Sequence, residues 1–326
     1  MSRRATTLLA ATGILAALVA PGAALADYPE RPIHIVVAWP AGGGHDIAAR
    51  LLGASLSQQV GVPVVIDNVT GAGGSTGVRH LEQADADGYT IGLIGMHAIS
   101  QSFMNPNATR LDALEPVAYI SDDPGALQVT AATGIETLEG YIEALRADPG
   151  ALINGNDPQG GNSFVFANAL SQAIELPIVQ IPYQGHAPNV TALITNEIAS
   201  ATLPIPPVLE HHRGGTVRIL GVMSPERHPM LPDVPTFREQ GVDLVANDFV
   251  MIAAPTGLDP QVAQTLSAAI VAAVENPTFA EPAERNGMVL RPGDAEMAVS
   301  ELQRQVDLIY PLLESAGLVS AALARQ

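Results

Sequence analysis

The sequence IHIVVAWPAGGGHD, residues 33–46, contains the parts of one β-loop-α unit in order. Ile33–Val37 is a short apolar run rich in β-branched residues, which is typical of a buried strand. The glycine triplet Gly42–Gly44 follows as a loop. From Asp46 to Gln59 the apolar residues return to one face, as they do in an amphipathic helix. A strand that leads through a short loop into a helix predicts an α/β fold.

The same pattern occurs twice more in the first hundred residues. Val64–Asp67 predicts a second strand, and it is followed by a second glycine-rich loop, Gly71–Gly74, and a helix to about Ala84. Tyr89–Ile94 predicts a third strand. Three successive units of this kind indicate a parallel sheet, whose ligand-binding loops lie at the carboxyl ends of the strands.

Beyond Pro116 the alternation of strands and helices starts again. Residues 118–120 and 127–129 are candidate crossover strands. The later elements predicted are helices at 138–147 and 163–175, a Gly- and Asn-rich loop at 155–161, strands at 178–181, 219–222 and 244–254, and a largely helical tail. We therefore expect two α/β lobes, with the chain crossing between them near 120–130 and 243–254. The boundaries predicted are 27–125 and 249–326 for the first lobe and 126–248 for the second.

Composition and charge exclude several kinds of function. All 15 residues counted as Lys or Arg are Arg, and the chain has no Cys. The chain therefore has no P-loop lysine, Schiff-base lysine, cysteine nucleophile or thiolate metal site. The net charge of −18 argues against nucleic acid and anionic membranes as partners, because both require basic patches. At His211-His212 adjacent helical side chains would diverge, so we predict no metal ion, and we expect no cofactor.

The first 26 residues have the layout of a signal peptide. Arg3 and Arg4 form a basic start, Leu8–Ala20 is an apolar run, and Ala24–Ala26 ends in small residues before Asp27. About 13 apolar residues fall short of the roughly 20 that span a bilayer. No cysteine follows the run, so a lipid anchor is not expected. We predict cleavage before Asp27 and a periplasmic mature chain.

Eight segments, in order along the chain, resemble the substrate-binding proteins of tripartite tricarboxylate transporters, the Bug-type receptors. They are YPERPI (28–33), PAGGGHD (40–46), NVTGAGG (68–74), ADGYT (86–90), LEPVA (114–118), IPYQG (181–185), SPER (224–227) and LPDVPT (231–236). The order and spacing of these segments carry the resemblance, which spans nearly the whole mature chain.

The resemblance implies a fold and a function. The fold is that of a type II periplasmic binding protein, in which two α/β lobes are joined by two crossover strands. The function is that of a receptor, without catalytic residues, that closes over a small carboxylated molecule and delivers it to the permease subunits of the transporter. We expect such a receptor to be a monomer.

The glycine loops suit this function physically. Glycines between a strand and a helix let backbone N–H groups approach an anion, and the helix N-terminus adds partial positive charge. The alternative is that these loops are only tight turns. The candidate ligand-binding residues are Pro40, Ala41, Gly42, Gly43, His45, Asp46, Gly71, Ala72, Gly73, Gly74, Ser75, Met96, His97, Asn156, Gly161, Asn162, Ser163, Tyr183 and Gly185.

Several candidates also have a structural interpretation. Asp46 can stabilise its helix N-terminus, orient the loop or accept a hydrogen bond from a ligand. His45 stands where the family more often has Thr or Ser, and it contacts the ligand or stays exposed. His97 lines the cleft or fills a loop, and Trp39 packs in the core or forms a cleft wall. Ser163 is a candidate N-cap.

Other positions depart from the family pattern. His186 replaces the usual second glycine after Tyr183, and Phe249 replaces a frequent Trp. The stretch 199–207 lacks the acidic residue that the family normally carries there. These departures lie at positions that would contact the distal half of the ligand, the part farthest from the glycine loops.

Two alternative functions remain at this point. Gly73-Gly74-Ser75-Thr76-Gly77 matches the G-x-S-x-G motif of serine hydrolases, which would make the protein an exported esterase. The context is unfavourable, because Val69–Ala72 separate the motif from the preceding strand. The other alternative is a periplasmic sensor that binds a ligand without transport. Co-purification with a permease would distinguish a receptor from a sensor.

Overall fold

The computed structural model describes residues 28–323. The strands in these residues are β1 Ile33–Val37, β2 Val64–Asn68, β3 Thr90–Ile94, β4 Leu114–Thr130, β5 Asn154–Asn156, β6 Gln180–Pro182, β7 Ser200–Pro204, β8 Val217–Val222, β9 Asn247–Pro255 and β10 Val289–Gly293. The α-helices are α1 Gly44–Val60, α2 Ser75–Glu82, α3 Met96–Met104, α4 Leu138–Ala147, α5 Asn162–Ala173, α6 His186–Ile194, α7 Leu209–Arg213, α8 Pro260–Glu275, α9 Pro277–Arg285 and α10 Ala295–Ser315.

The strands form a continuous sheet in the order β2-β1-β3-β9-β4-β7-β5-β6, and β8 and β10 also pair with β4. β1 is parallel to both β2 and β3, so the predicted parallel sheet of the first three units is confirmed. We use "first lobe" for β1–β3, β10, α1–α3 and α8–α10, and "second lobe" for β5–β8 and α4–α7. β4 and β9 connect the two lobes.

The two crossover strands predicted near 120 and 128 are one strand of 17 residues, β4. Its first part pairs with β9 and its last six residues pair with β7 and β8. Pro124 and Gly125 lie between the two predicted strands. Pairing across β4 keeps this segment extended, since proline needs no partner for a missing N–H and the Gly125 N–H bonds to Ala246 O at 3.0 Å.

α3 completes the third β-loop-α unit, but it begins at Met96, so His97 lies in a helix and not in a loop. Its first residue, Met96, donates its backbone N–H to Asp248 Oδ1 at 2.6 Å, 152 positions further along the chain. The preceding Gly95 supplies no side-chain cap. A carboxylate from β9 therefore satisfies the start of α3, and the local sequence contains no signal for this.

The apolar core of the first lobe lies between the sheet and the helix layer of α1, α8 and α9. Ile35 and Ile252 of the sheet, Leu52 of α1, Leu266 of α8 and Phe279 of α9 are all fully buried. This layer supports the ends of β1–β3, where the loops of the candidate site begin. None of the helices within residues 28–323 is both long and apolar enough to cross a membrane.

Candidate functional site

The loops at the carboxyl ends of β1–β3 touch the second lobe directly. Gln101 Nε2 of α3 donates to the carbonyl of Gln159 at 2.7 Å. Ser100 Oγ donates to the carbonyl of Gly160. At Gly185 an added Cβ would lie 3.1 Å from Pro40 Cδ, in the first-lobe loop. The lobes are thus closed on each other along this edge.

A small cavity remains between the two lobes. Its volume is about 10 Å³, near the least that one water molecule requires. It is lined by Trp39, Pro40, Gly43, Gly44, His45, Asn162 and His186. Gly44, Asn162 and His186 are the first residues of α1, α5 and α6. Three helix N-termini, one from the first lobe and two from the second, therefore meet at this cavity, and each favours negative charge.

A buried carboxylate, Asp248 of β9, lies beside this cavity. Its Oδ1 accepts from the Met96 and Phe249 N–H groups at 2.6 and 2.8 Å, and its Oδ2 accepts from Asn162 Nδ2. Oδ2 is also 3.3 Å from His45 Nε2. Burial alone would raise the pKa of Asp248, but the charge and hydrogen bond of His45 and the hydrogen bond from the Met96 N–H lower it to about 2.

His45 is 5% exposed and forms a buried ion pair with Asp248. Burial alone would lower the pKa of His45, but the charges of Asp248, Asp123 and Asp157 outweigh burial and raise the pKa above its usual value. Asp123 faces Asp248 in the β4–β9 register. Burial and the Asp248 charge raise the pKa of Asp123 to about 7.

The polar groups of the second lobe continue this network. His186 Nε2 lies 2.9 Å from Asn162 Oδ1 and 3.4 Å from Asp157 Oδ2. Ser163 Oγ donates to the same oxygen of Asp157 at 2.7 Å. Asn162 therefore bridges Asp248 on the crossover strand and His186 on α6.

Positive φ angles occur in both glycine loops. Gly42, Gly73 and Gly74 have φ angles of 90°, 61° and 94°. A Cβ at Gly73 would lie 2.4 Å from the carbonyl oxygen of Gln159, in the second lobe. Only glycine at this position permits both the backbone angle and the close approach of the lobes. Gly43, by contrast, has an ordinary φ of −84°.

The structure brings part of the predicted residue set together. Pro40, Gly43, His45 and Asn162 line the cavity. Those that flank it or lie in the adjoining loops and helix starts are Ala41, Gly42, Gly71, Ala72, Gly73, Gly74, Ser75, Met96, His97, Gly161 and Gly185. Trp39 packs against the first-lobe core and also lines the cavity, so both roles predicted for it occur together.

The other predicted residues have partners within the protein. The Asp46 carboxylate accepts from the Gly42 N–H at 2.9 Å and is held by Arg50 and Asn68. These contacts favour the loop-orienting role. Asn156 Nδ2 donates to Gln180 Oε1, and Tyr183 OH donates to Glu197 Oε1 at 2.9 Å.

The N-cap prediction for Ser163 is wrong. Gly161 occupies the N-cap position of α5, and Ser163 lies within the first turn. Its hydroxyl accepts from the Asp157 N–H at 2.7 Å and donates to the Asp157 carboxylate. The Asp157 carboxylate therefore accepts hydrogen bonds at the start of α5, as the side chain of an N-cap residue would.

Sequence reasoning missed the buried acids Asp123, Asp157 and Asp248. Each is at most 2% exposed. In the sequence two of them stand beside Pro and Gly in segments that resemble exposed turns, and Asp248 follows an Asn. No local signal distinguishes a buried Asp from a turn Asp, because the burial comes from pairing between distant segments.

The G-x-S-x-G segment does not form a serine–base pair in this structure. Ser75 is the first residue of α2, seven positions after the last residue of β2. Its Oγ is buried and has no hydrogen-bond partner within residues 28–323. A nucleophile elbow requires a serine directly on the strand-to-helix turn with a base in hydrogen-bond reach.

Comparisons with known proteins identify the family and the fold of the chain. The family model for the tripartite tricarboxylate transporter family receptor matches residues 48–318. Protein BugT of Bordetella pertussis is 32% identical over 283 residues, which are 85% of this chain and 87% of BugT. The structure of the periplasmic binding protein BugD has a TM-score of 0.85 and 26% identity, covering 90% of this chain and 99% of BugD.

A fourth comparison concerns the fold alone. MatC of Rhodopseudomonas palustris, with bound malate, has a TM-score of 0.79 at 24% identity, covering 86% of this chain and 100% of MatC. Its architecture agrees with the two-lobed α/β fold expected from the sequence, and the family match confirms the resemblance seen in the eight segments. The chain belongs to the tripartite tricarboxylate transporter receptor family.

Proposed function

We propose that this protein is a periplasmic receptor that captures a small carboxylated organic molecule between its lobes. The observation that carries the proposal is the meeting of three helix N-termini, those of α1, α5 and α6, at one interlobe cavity. These termini offer backbone N–H donors to an oxyanion from both sides of the cleft.

The few cationic side chains of this protein favour a site in which backbone amides bind the ligand. There is no lysine in the sequence, and Arg50, the arginine of α1, is bound bidentately to Asp46. A ligand carboxylate would therefore be held by backbone donors and by His45, as a titratable contact. Membership of the tripartite tricarboxylate transporter receptor family supports a carboxylate as the ligand class.

We propose the predicted boundaries for the lobes, 27–125 with 249–326 and 126–248. β4 and β9 run through both lobes, so they are the segments that would flex when the cleft opens. Within the proposed site, Asp46, Asn156 and Tyr183 would hold the loops, and the remaining candidates would contact the ligand.

We also propose delivery to a permease and export of the chain. The proposed signal peptide, residues 1–26, lies outside the described residues. The mass of the protein recovered from periplasm should correspond to a chain beginning at Asp27. A detergent extract of cells that carry the transporter should yield permease subunits with the tagged receptor in the presence of ligand. Recovery of the receptor alone under the same conditions would favour the sensor function.

The ligand class is tested by thermal unfolding of the mature protein against a library of carboxylates and matched amides or esters. A ligand at 100 times its dissociation constant should stabilise the protein by about 2.7 kcal/mol. The matched neutral compounds should give no shift. Stabilisation by the neutral compounds and not by the acids would contradict the proposal. Hydrolysis of simple esters that is lost in Ser75→Ala would favour the esterase instead.

A further inference from the structure

His97 has a hydrogen-bonding state that its neighbours define. It lies in the first turn of α3 and is 1% exposed. Trp39 Nε1 donates to His97 Nδ1 at 3.5 Å, and the two rings are nearly perpendicular, with centroids 5.7 Å apart. An indole nitrogen is only a donor, so Nδ1 of His97 must carry the lone pair. A neutral His97 therefore carries its proton on Nε2.

The surroundings of His97 keep it neutral. Burial and the neighbouring His45 lower the pKa of His97 to about 3, and the opposite effect of Asp248 and Asp157 is smaller. The ring centroids of His45 and His97 are 5.4 Å apart. Since the pKa of His45 is raised, an imidazolium at position 97 would face a like charge in the protein interior. The pair therefore consists of one titratable and one neutral histidine.

The proton on His97 Nε2 has no acceptor within residues 28–323, although the atom is fully buried. It lies beside the second glycine loop, because a Cβ at Gly74 would be 2.7 Å from Cδ2, the ring carbon next to Nε2. The following residue, Ser75, has a buried hydroxyl that also lacks a partner within these residues. Buried polar groups are nearly always hydrogen-bonded, so two unpaired groups in one loop cluster of a receptor point to a ligand.

We propose that His97 is a specificity-determining residue, whose Nε2–H donates a hydrogen bond to an oxygen of the ligand, and that Trp39 is the positioning residue that fixes this tautomer. The inference rests on the proposed receptor function. The donor reads an acceptor such as a carboxylate, carbonyl or hydroxyl oxygen, and it rejects a ligand that presents a methyl or ammonium group there. Being neutral, it acts equally across the pH range in which His45 titrates.

The tautomer can be tested without a ligand. Two-dimensional ¹⁵N–¹H spectra of the histidine rings, assigned by the loss of one ring in His97→Gln, should show His97 protonated at Nε2 only, from pH 5.5 to 8. Trp39→Phe keeps an aromatic ring but removes the indole N–H, so both tautomers should appear. A proton on Nδ1 in the parent, or an imidazolium at pH 5.5, would overturn the inference.

The ligand contact is tested by titration with malate, succinate and the acids that stabilise the protein in the thermal screen. Binding should shift the His97 Nε2–H resonance. His97→Phe should weaken binding by about tenfold or more, whereas His97→Gln, which keeps a donor, should stay within about threefold. The exposed His80→Phe on α2 serves as the matched control and should bind like the parent.

The possible failures are distinguishable. Binding with an unmoved His97 resonance and equal affinity in His97→Phe would overturn the contact and leave the receptor function intact. No binding by any acid in the screen would overturn both the receptor function and the contact. The tautomer measured in the unliganded protein would then still report whether Trp39 positions His97.

Discussion

At the scale of single residues, Asp123 is a buried carboxyl whose protonation should control stability. Its pKa is about 7 in the folded protein and near 3.8 when unfolded, so the folded state retains a proton that the unfolded state releases. Its contribution therefore becomes unfavourable as pH rises from about 4 to 7. Asp123→Asn should be more stable than the parent at pH 8, by up to about 4 kcal/mol, and the difference should shrink toward pH 4. Denaturant unfolding at both pH values measures it.

The matched control is Asp85→Asn, since Asp85 is exposed. Its effect should be small and similar at both pH values. If the effect of Asp123→Asn on stability is also small and similar at both pH values, Asp123 is ionised in the folded protein and its pKa is not raised.

His45 should show a pH dependence through its pair with Asp248. The pKa of His45 is raised in the folded protein, so its stabilisation is complete below about 6.5 and is lost as pH rises through the folded-state pKa. His45→Gln can still donate to Asp248 but cannot ionise. The parent should exceed this variant by about 1 to 3 kcal/mol at pH 6, with the gap narrowing as the pH rises above about 6.5. A gap that is constant with pH would contradict the ion pair.

At the scale of elements, the loop between β2 and α2 should control closure of the lobes. Gly73 has a φ of 61°, and its Cβ position lies 2.4 Å from the carbonyl oxygen of Gln159 in the second lobe. Gly73→Ala should therefore hold the lobes apart and weaken binding of any ligand enclosed between them by at least about tenfold. Calorimetry gives the affinity, and small-angle scattering with saturating ligand should show incomplete closure.

Gly134→Ala separates closure from backbone strain. Gly134 has a similar φ of 68°, but nothing lies within 4 Å of its Cβ position. It should lose about 1 kcal/mol of stability, as a positive φ at alanine costs, and retain the parent affinity. Equal affinity in the two variants would show that the Gly73–Gln159 approach is not required for binding.

At the scale of the whole molecule, the net charge of −18 repels an approaching anionic ligand. The backbone amides of the proposed site attract the same ligand at short range. The long-range repulsion is screened by salt, whereas the short contacts in a buried cleft are screened much less. The association rate for a dicarboxylate should therefore rise severalfold between about 10 and 200 mM salt, and the dissociation rate should change little. Stopped-flow fluorescence of Trp39 measures both rates. A rate that falls with salt would mean that the field at the cleft mouth is positive.

The sequence by itself determined the elements and loops whose signals are local. Ile33–Val37 and Leu138–Ala147 have the predicted bounds, because apolar periodicity and the adjacent turn residues act over a few positions. The parallel order of the first three strands follows from the repeated β-loop-α pattern. The same local signals located the glycine loops between β1 and α1 and between β2 and α2.

Only the tertiary structure decided what lies between the lobes. Asp123 and Asp248 are 125 positions apart and become neighbours through the register of β4 and β9. The same pairing keeps β4 continuous through Pro124 and places a carboxylate at the start of α3. Whether an aspartate is a solvated turn residue or a buried acceptor with a shifted pKa depends on which distant segments cover it. Burial changes the free energy of an ionised aspartate by more than any local conformational propensity does. The burial itself cannot be predicted from the residues around that aspartate in the sequence.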